Sequence, residues 1–236
     1  RHCVLTNTQT KVKFVIVSWR NLPSVSINDP LLMLGKPAPL TAATGMDALT
    51  HAVEAYISKD ANPVTDAAAI QAIRLIARNL RQAVALGSNL QARENMAYAS
   101  LLAGMAFNNA NLGYVHAMAH QLGGLYDMPH GVANAVLLPH VARYNLIANP
   151  EKFADIAEFM GENIHGLSTM DAAESAIRAI ARLSSDIGIP QHLSELGVKE
   201  ADFPYMAEMA LKDGNAFSNP RKGNEKEIVA IFRQAF

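Results

Sequence analysis

The alternation of hydrophobic and polar residues changes character close to residue 38. Residues 13–17 form a short run rich in β-branched side chains, which predicts a strand, and residues 25–29 offer a second strand to pair with it. From Pro37 and Pro39 onward, apolar residues recur at three- and four-residue intervals up to the end of the chain. The pattern therefore predicts a small β segment followed by a long helical region.

Start and stop signals divide that helical region. Asn62 before Pro63 is a capped helix start, and Gly87 ends a helix that we place at residues 63–85. Asn149 before Pro150 repeats the start signal, and Gly123–Gly124 and Pro129 are expected to interrupt the chain between helices. Further helices are predicted at residues 90 to about 109, 130–145, 168–187 and 225–236.

Composition narrows the class of protein. Half of the 236 residues are hydrophobic and the formal net charge is −1, so neither nucleic acid nor a membrane surface is an expected partner. Cys3 is the single cysteine, which excludes an internal disulfide and makes thiolate ligation of a metal untenable. No apolar run approaches the roughly 20 residues that span a bilayer. These features favour a soluble, cytoplasmic protein.

Histidine and aspartate pairs are the candidate chemistry. His116 and His120 are four residues apart, as are Asp47 and His51, so each pair shares one face of a helix. A lone His116 could equally be a hydrogen-bonded core residue, and Asp47 could serve a helix N-terminus. Both pairs together with His130 favour a site for Fe(II), Zn(II) or Mn(II) built from imidazole and carboxylate ligands.

Two longer patterns run through the same residues. The first consists of Ser26-Ile27-Asn28-Asp29, Pro37, Ala42, Thr44, Asp47-Ala48-Leu49 and Glu54, and the second is GYVHAMAHQLGGLYDMPHGVA, preceded by FNNANLGYVH and followed by NAVLLPHV. In these motifs the chain resembles the iron-containing (group III) alcohol dehydrogenases, in their short-chain alcohol and propanediol dehydrogenase branch.

The resemblance implies a mainly α fold, the helical-bundle C-terminal domain of a dehydroquinate synthase-like fold, with a short β remnant of an N-terminal α/β dinucleotide domain. The remnant would be residues 1–38 and the metal-binding catalytic domain residues 39–236.

Roles for individual residues follow from that resemblance. His120 matches a histidine that approaches the nicotinamide without ligating the metal, which makes it the candidate catalytic and cofactor-binding residue, and Phe107 matches an aromatic residue of the same cleft. Spacing alone would leave His120 as good a ligand as His116. The implied metal ligands are Asp47, His51, His116 and His130.

The implied activity is hydride transfer between a short-chain alcohol or aldehyde and NAD(P), with Fe²⁺ as the metal and Zn²⁺ as the alternative. The full-length protein would be a homodimer. The chain contains no G-x-G-x-x-G motif, and the family's phosphate loop would lie in a preceding domain. We therefore expect these 236 residues alone, as a truncated chain, to bind NAD weakly and to be inactive or impaired.

The sequence is also compatible with other functions. One is that of a zinc polyol dehydrogenase of the glycerol type, with three protein ligands, and another is that of a non-enzymatic helical interaction module. A lyase of the dehydroquinate synthase type is the least favoured. Among the remaining histidines, His140 is expected to pack or to support the site, His2 and His192 to lie at the surface, and His165 to lie in a loop.

Overall fold

The computed structural model describes residues 2–9 and 12–236. Strands β1 (His2–Asn7) and β2 (Val12–Val17) pair antiparallel, with His2 opposite Val17 and Asn7 opposite Val12. The predicted strand at residues 13–17 is confirmed within β2, but the strand predicted at residues 25–29 is wrong. Those residues are exposed and form no strand, because β1 supplies the partner that β2 needs.

From residue 38 onward the described chain is helical, as the pattern predicts. Short 3₁₀ turns separate several of the helices. The α-helices are α1 (Ala38–Ile57), α2 (Pro63–Ala85), α3 (Leu90–Ala110), α4 (Tyr114–Tyr126), α5 (His130–Leu146), α6 (Pro150–Phe159), α7 (Thr169–Asp186), α8 (Phe203–Lys212) and α9 (Glu225–Gln234).

Side-chain caps begin four of the nine α-helices in the described residues, namely α2, α3, α7 and α9. The Asn62 side chain accepts hydrogen bonds from the backbone N–H groups of Val64 and Thr65, which begins α2 as predicted. Asn149 does not cap α6. Its amide instead donates to the carbonyl oxygen of Ile57, 3.2 Å away, and so ties the start of α6 to the end of α1.

The expected interruption at Gly123–Gly124 is also wrong. Helix α4 continues through both glycines to Tyr126 and ends at Asp127, which adopts the left-handed conformation. Gly123 is buried, so tertiary packing outweighs the weak helix propensity of glycine here.

Helix α1 lies at the centre of the domain and contacts α2, α3, α5 and α6. Between residues 41 and 58, every side chain is buried except those of Thr44, Asp47 and His51. These three positions are spaced three and four residues apart, so they form one stripe along the helix. The stripe that opens outward from an otherwise buried helix therefore carries two of the candidate ligands.

Within the part of the chain that the structure describes, no helix is both long enough and apolar enough to cross a membrane.

Gly131 controls how closely α5 approaches α1, and this generates a stability prediction. A Cβ atom at residue 131 would lie 2.7 Å from the carbonyl carbon of Ala43 and closer still to its oxygen. Because both atoms belong to the backbone of α1, we expect Gly131→Ala to lower the free energy of unfolding by about 2 kcal/mol. Urea denaturation measures the effect.

Gly104 in α3 provides the matched control, since a Cβ there meets no atom within 4 Å. Gly104→Ala should raise the free energy of unfolding by about 0.5–1 kcal/mol through helix propensity. A Gly131→Ala variant as stable as Gly104→Ala would contradict the close approach of the two helices.

Candidate metal centre

Three helices bring the candidate ligands together. Helix α1 contributes Asp47 and His51, α4 contributes His116, and α5 contributes His130 from its first residue. Asp47, His51 and His116 each place one donor atom within 4.8 Å of the other two. His130 lies outside that group of three, but its Nε2 atom also approaches Asp47, so the structure places all three of these histidines around the Asp47 carboxylate.

Distances from Asp47 define the arrangement. Its Oδ1 atom lies 3.7 Å from Nε2 of His116 and 3.6 Å from Nε2 of His130, and its Oδ2 atom lies 3.9 Å from Nδ1 of His51. Ligand atoms bonded at about 2.1 Å to one ion lie about 3 to 4 Å apart. The separations therefore fit a single divalent ion, and the donor set of three imidazoles and one carboxylate suits iron or zinc.

Glu54 orients the ring of His116 by contacting Nδ1, the ring nitrogen that faces away from the cluster. The two side chains are each 2% exposed, and Oε2 of Glu54 lies 2.6 Å from Nδ1 of His116. The backbone N–H of Val115 donates to Oε1 of the same carboxyl at 2.7 Å. We assign the hydrogen of His116 to Nδ1, which leaves the lone pair of Nε2 directed to the cluster.

Burial sets the protonation of this pair. It raises the pKa of Glu54 to about 7, against the lowering effect of hydrogen bonds from the backbone N–H groups at the start of α4. Burial also lowers the pKa of His116 well below its ordinary value, and the neighbouring histidines add to that effect. His116 is therefore neutral at pH 7, the form in which imidazole binds metals.

Asp47 remains ionised. Burial opposes its charge, but the nearby imidazoles and a hydrogen bond from Asn134 outweigh burial and hold its pKa below the ordinary value. An anionic carboxylate beside the neutral imidazole of His116 is a combination that attracts a divalent cation.

His51 and Phe107 form the side of the cluster that faces α3. Their rings stack with centroids 4.5 Å apart, and His51 stacks equally closely on His116. Phe107 also borders a cleft of about 680 Å³ between residues 22–33 and α3. The cluster and this cleft therefore share Phe107 as a wall.

His120 differs from His116 in its partner. Its Nδ1 atom lies 2.7 Å from Oδ2 of Asp213, which follows α8 and caps a short 3₁₀ turn. Its ring lies against that of His130, with centroids 5.5 Å apart and nearly parallel planes. His120 therefore stands at the edge of the cluster and is oriented by a carboxylate of its own.

Three residues at this centre have no role predicted from the sequence. Glu54 and Asn134 belong to motifs of the resemblance without an assigned function, and Asp213 belongs to none of these motifs. The Nδ2 atom of Asn134 lies 2.6 Å from Oδ1 of Asp47. The spacing of four between His130 and Asn134 on α5 was a signal that could have found it, whereas nothing local connects Asp213 to His120.

The fold and this centre define a helical domain with a candidate divalent-metal site. The family described as "Fe-containing alcohol dehydrogenase family, C-terminal" matches residues 41–236. The chain belongs to this family, which confirms the resemblance found in the sequence and the mainly helical fold it implied.

Individual relatives agree. The chain is 95% identical over 236 residues to a 1,3-propanediol dehydrogenase of Citrobacter freundii, covering all of this chain and 61% of that protein. It is 51% identical over 232 residues to an NAD-dependent methanol dehydrogenase of Bacillus methanolicus, covering 98% of this chain and 61% of that protein. The chain thus spans about three-fifths of the length of these relatives.

Solved structures give the same result. A crystal structure of a 1,3-propanediol oxidoreductase superimposes with a TM-score of 0.99 at 93% identity, covering all of this chain and 62% of that one. An alcohol dehydrogenase from Oenococcus oeni gives a TM-score of 0.98 at 64% identity, with the same coverage.

The remaining histidines lie outside the centre. His165 and His192 are exposed, as predicted, while the side chain of His2 lies outside the described residues. His140 is ten residues beyond His130 on α5, a rise of about 15 Å, and it borders a cavity between α5 and α7. Burial, with smaller effects of His192 and Arg143, lowers the pKa of His140 to about 4.

This shift generates a prediction for acid stability. In the unfolded chain His140 takes up a proton near pH 6.5, but in the folded chain only near pH 4, so acid favours unfolding between these values. His140→Gln removes this cost. Between pH 7 and pH 5 its free energy of unfolding should therefore fall by about 2 kcal/mol less than that of the unmodified chain.

Urea midpoints at pH 5 and pH 7 measure the difference. His165→Gln is the matched control, because that ring is exposed and its loss should change neither midpoint. If His140→Gln loses as much stability between pH 7 and pH 5 as the unmodified chain does, the predicted cost of protonating His140 is wrong.

Proposed function

We propose that this chain is the metal-binding, helical part of an NAD(P)-linked alcohol dehydrogenase that interconverts short-chain alcohols and aldehydes. The observation that carries the proposal is the convergence of Asp47, His116 and His130 on one point, with Nε2 of His116 made available by Glu54. The names of the relatives, which include a 1,3-propanediol dehydrogenase and an NAD-dependent methanol dehydrogenase, support the same reaction class.

The residues fit the metal that the family name implies. We infer that the ligands are Asp47, His51, His116 and His130, a set without thiolate that accepts Fe²⁺ and also Zn²⁺. When bound, the ion supplies Lewis acidity that lowers the pKa of an alcohol hydroxyl or polarises an aldehyde carbonyl. Glu54 would hold the proton of His116 on Nδ1, so that Nε2 stays available to the metal. Buried carboxylates that accept a hydrogen bond from a metal-bound imidazole commonly have this role.

His120 is our candidate for proton movement. With Nδ1 hydrogen-bonded to the carboxylate of Asp213, its Nε2 atom is left to exchange a proton with substrate or with the cofactor ribose. The ring is held on one side by Asp213 and on the other by the neighbouring His130 ring, so its orientation is fixed before substrate arrives. A fixed ring makes proton transfer efficient because little reorganisation is needed.

Phe107 is our candidate for the cofactor side of the site. It stacks on His51 and borders the cleft between residues 22–33 and α3, which is wide enough for a small alcohol and one end of a nicotinamide. We infer that Phe107 excludes water from the reacting atoms there.

The alternatives differ in what the centre would do. A zinc polyol dehydrogenase would need only three of the four ligands, and a helical interaction module would need none. Membership of the dehydrogenase family and the four converging donors favour the iron-type enzyme. For the whole protein we further infer a homodimer, as the resemblance implies, and a cytoplasmic location, as the composition of the chain indicates.

Metal content tests the ligand set. After anaerobic incubation with Fe(II) and desalting, elemental analysis should find about one ion per chain. Asp47→Ala should lose that ion, because it removes the carboxylate around which the imidazoles gather. Asp186→Ala is the control, since this exposed carboxylate only pairs with Arg81. Equal metal content in both variants would refute the ligand set.

Kinetics test His120. In the whole protein, His120→Ala should lower kcat for alcohol oxidation by about 100-fold and flatten the pH dependence of kcat, because it removes the proton-transferring ring. His165→Ala, at an exposed loop position, should leave both unchanged. Full turnover with an unaltered pH profile in His120→Ala would show that the role assigned to His120 is wrong.

A further inference from the structure

Asn134 makes an unusual set of contacts at the centre of the candidate site. Its side chain is fully buried, and its Nδ2 atom lies 2.6 Å from Oδ1 of Asp47. The same nitrogen lies 3.2 Å from Nε2 of His116 and 3.1 Å from Nε2 of His130. One carboxamide NH₂ group therefore faces three atoms that we assign as metal ligands.

The orientation of the amide follows from its neighbours. If oxygen and nitrogen were exchanged, two oxygen atoms would face each other at the distance that now separates Nδ2 from Asp47. The orientation with Nδ2 inward is favourable even though Oδ1 is buried and has no hydrogen-bond partner among the described residues. The contacts with the ligand atoms therefore determine how Asn134 is placed.

Hydrogen bonds from Asn134 and bonds to a metal compete for the same lone pairs on the imidazole nitrogens. A neutral imidazole has one lone pair on its unprotonated nitrogen, and that pair can accept an N–H or bind a cation, but not both. His116 is such an imidazole, because its Nδ1 atom is committed to Glu54. A hydrogen bond from Asn134 to Nε2 and a bond from Nε2 to a metal are consequently alternatives.

We propose that Asn134 is a positioning residue that holds the ligand atoms together when no metal is bound and gives up the two imidazole nitrogens when an ion enters. The proposal rests on the metal centre of the proposed function. It assigns to Asn134 a stabilising effect on the metal-free protein that metal binding replaces. The NH₂ group shares its two hydrogens among the carboxylate and the two imidazole nitrogens, and so lowers the cost of burying these acceptors until an ion binds them.

Thermal unfolding distinguishes the two states. The midpoint Tm is measured for the chain with excess EDTA and, separately, with excess Zn²⁺ as a redox-silent probe of the site. Asn134→Ala should lower the Tm of the metal-free protein more than that of the zinc-loaded protein. The zinc-induced rise in Tm should therefore be about 3 °C larger than in the unmodified chain.

Asn145 supplies the matched control on the same helix. It is also fully buried, but it exchanges hydrogen bonds with Asn219, at 2.9 and 2.8 Å, and with none of the proposed ligands. Asn145→Ala should lower the Tm of both states equally and leave the zinc-induced rise unchanged.

A second variant covers the case in which Asn134→Ala does not fold. Asn134→Asp keeps the shape but replaces the donor by an anionic oxygen next to Asp47, so it should again enlarge the zinc-induced rise. A rise equal to or smaller than that of the unmodified chain in a folded variant overturns the inference about Asn134 alone. If zinc does not raise the Tm of the unmodified chain, the metal centre is refuted, and this inference with it.

Discussion

The contact between Glu54 and the start of α4 is the constraint on which the candidate metal centre depends. A carboxylate at the N-terminus of a helix accepts N–H groups that have no partner within the helix, and it is stabilised by the helix dipole. Here the carboxylate comes from α1, because Gly113 provides no capping side chain, and a Cβ at that position would lie 2.9 Å from Oε1 of Glu54. The same carboxyl group fixes α4 against α1 and sets the tautomer of His116.

The burial of α1 explains why the centre forms where it does. With α2, α3, α5 and α6 packed around it, α1 leaves side chains accessible between residues 41 and 58 only along the stripe that carries Thr44, Asp47 and His51. Glu54 continues that stripe at the same spacing, but it lies inside the domain, where α4 covers it. The two acidic residues of this helix face therefore differ in depth. Glu54 is buried and supports the ligand His116, whereas Asp47 is more accessible and can itself bind the metal.

Local signals in the sequence were sufficient for most of the helices. The caps at Asn62 and Asn224 and the prolines at residues 63 and 150 act within a single turn, so helix starts could be predicted without knowledge of the fold. The partner of β2 was misplaced because segments on both sides of β2 contain β-branched residues, and the local pattern does not decide between residues 2–7 and residues 25–29. Gly123 and Gly124 were misjudged because packing around α4 is not visible in their own neighbourhood.

The roles of the residues in the candidate metal centre were even harder to predict from local sequence signals. Three pairs at a spacing of four meet there, namely Asp47 with His51, His116 with His120, and His130 with Asn134, and spacing alone treats both members of a pair alike. Four residues of helix rise about 6 Å, so the two members lie at different depths. His116 is 2% exposed and held by Glu54, while His120 is 11% exposed and held by Asp213. Burial and a partner from another part of the fold, rather than spacing, distinguish the ring suited to binding a metal from the ring suited to moving a proton.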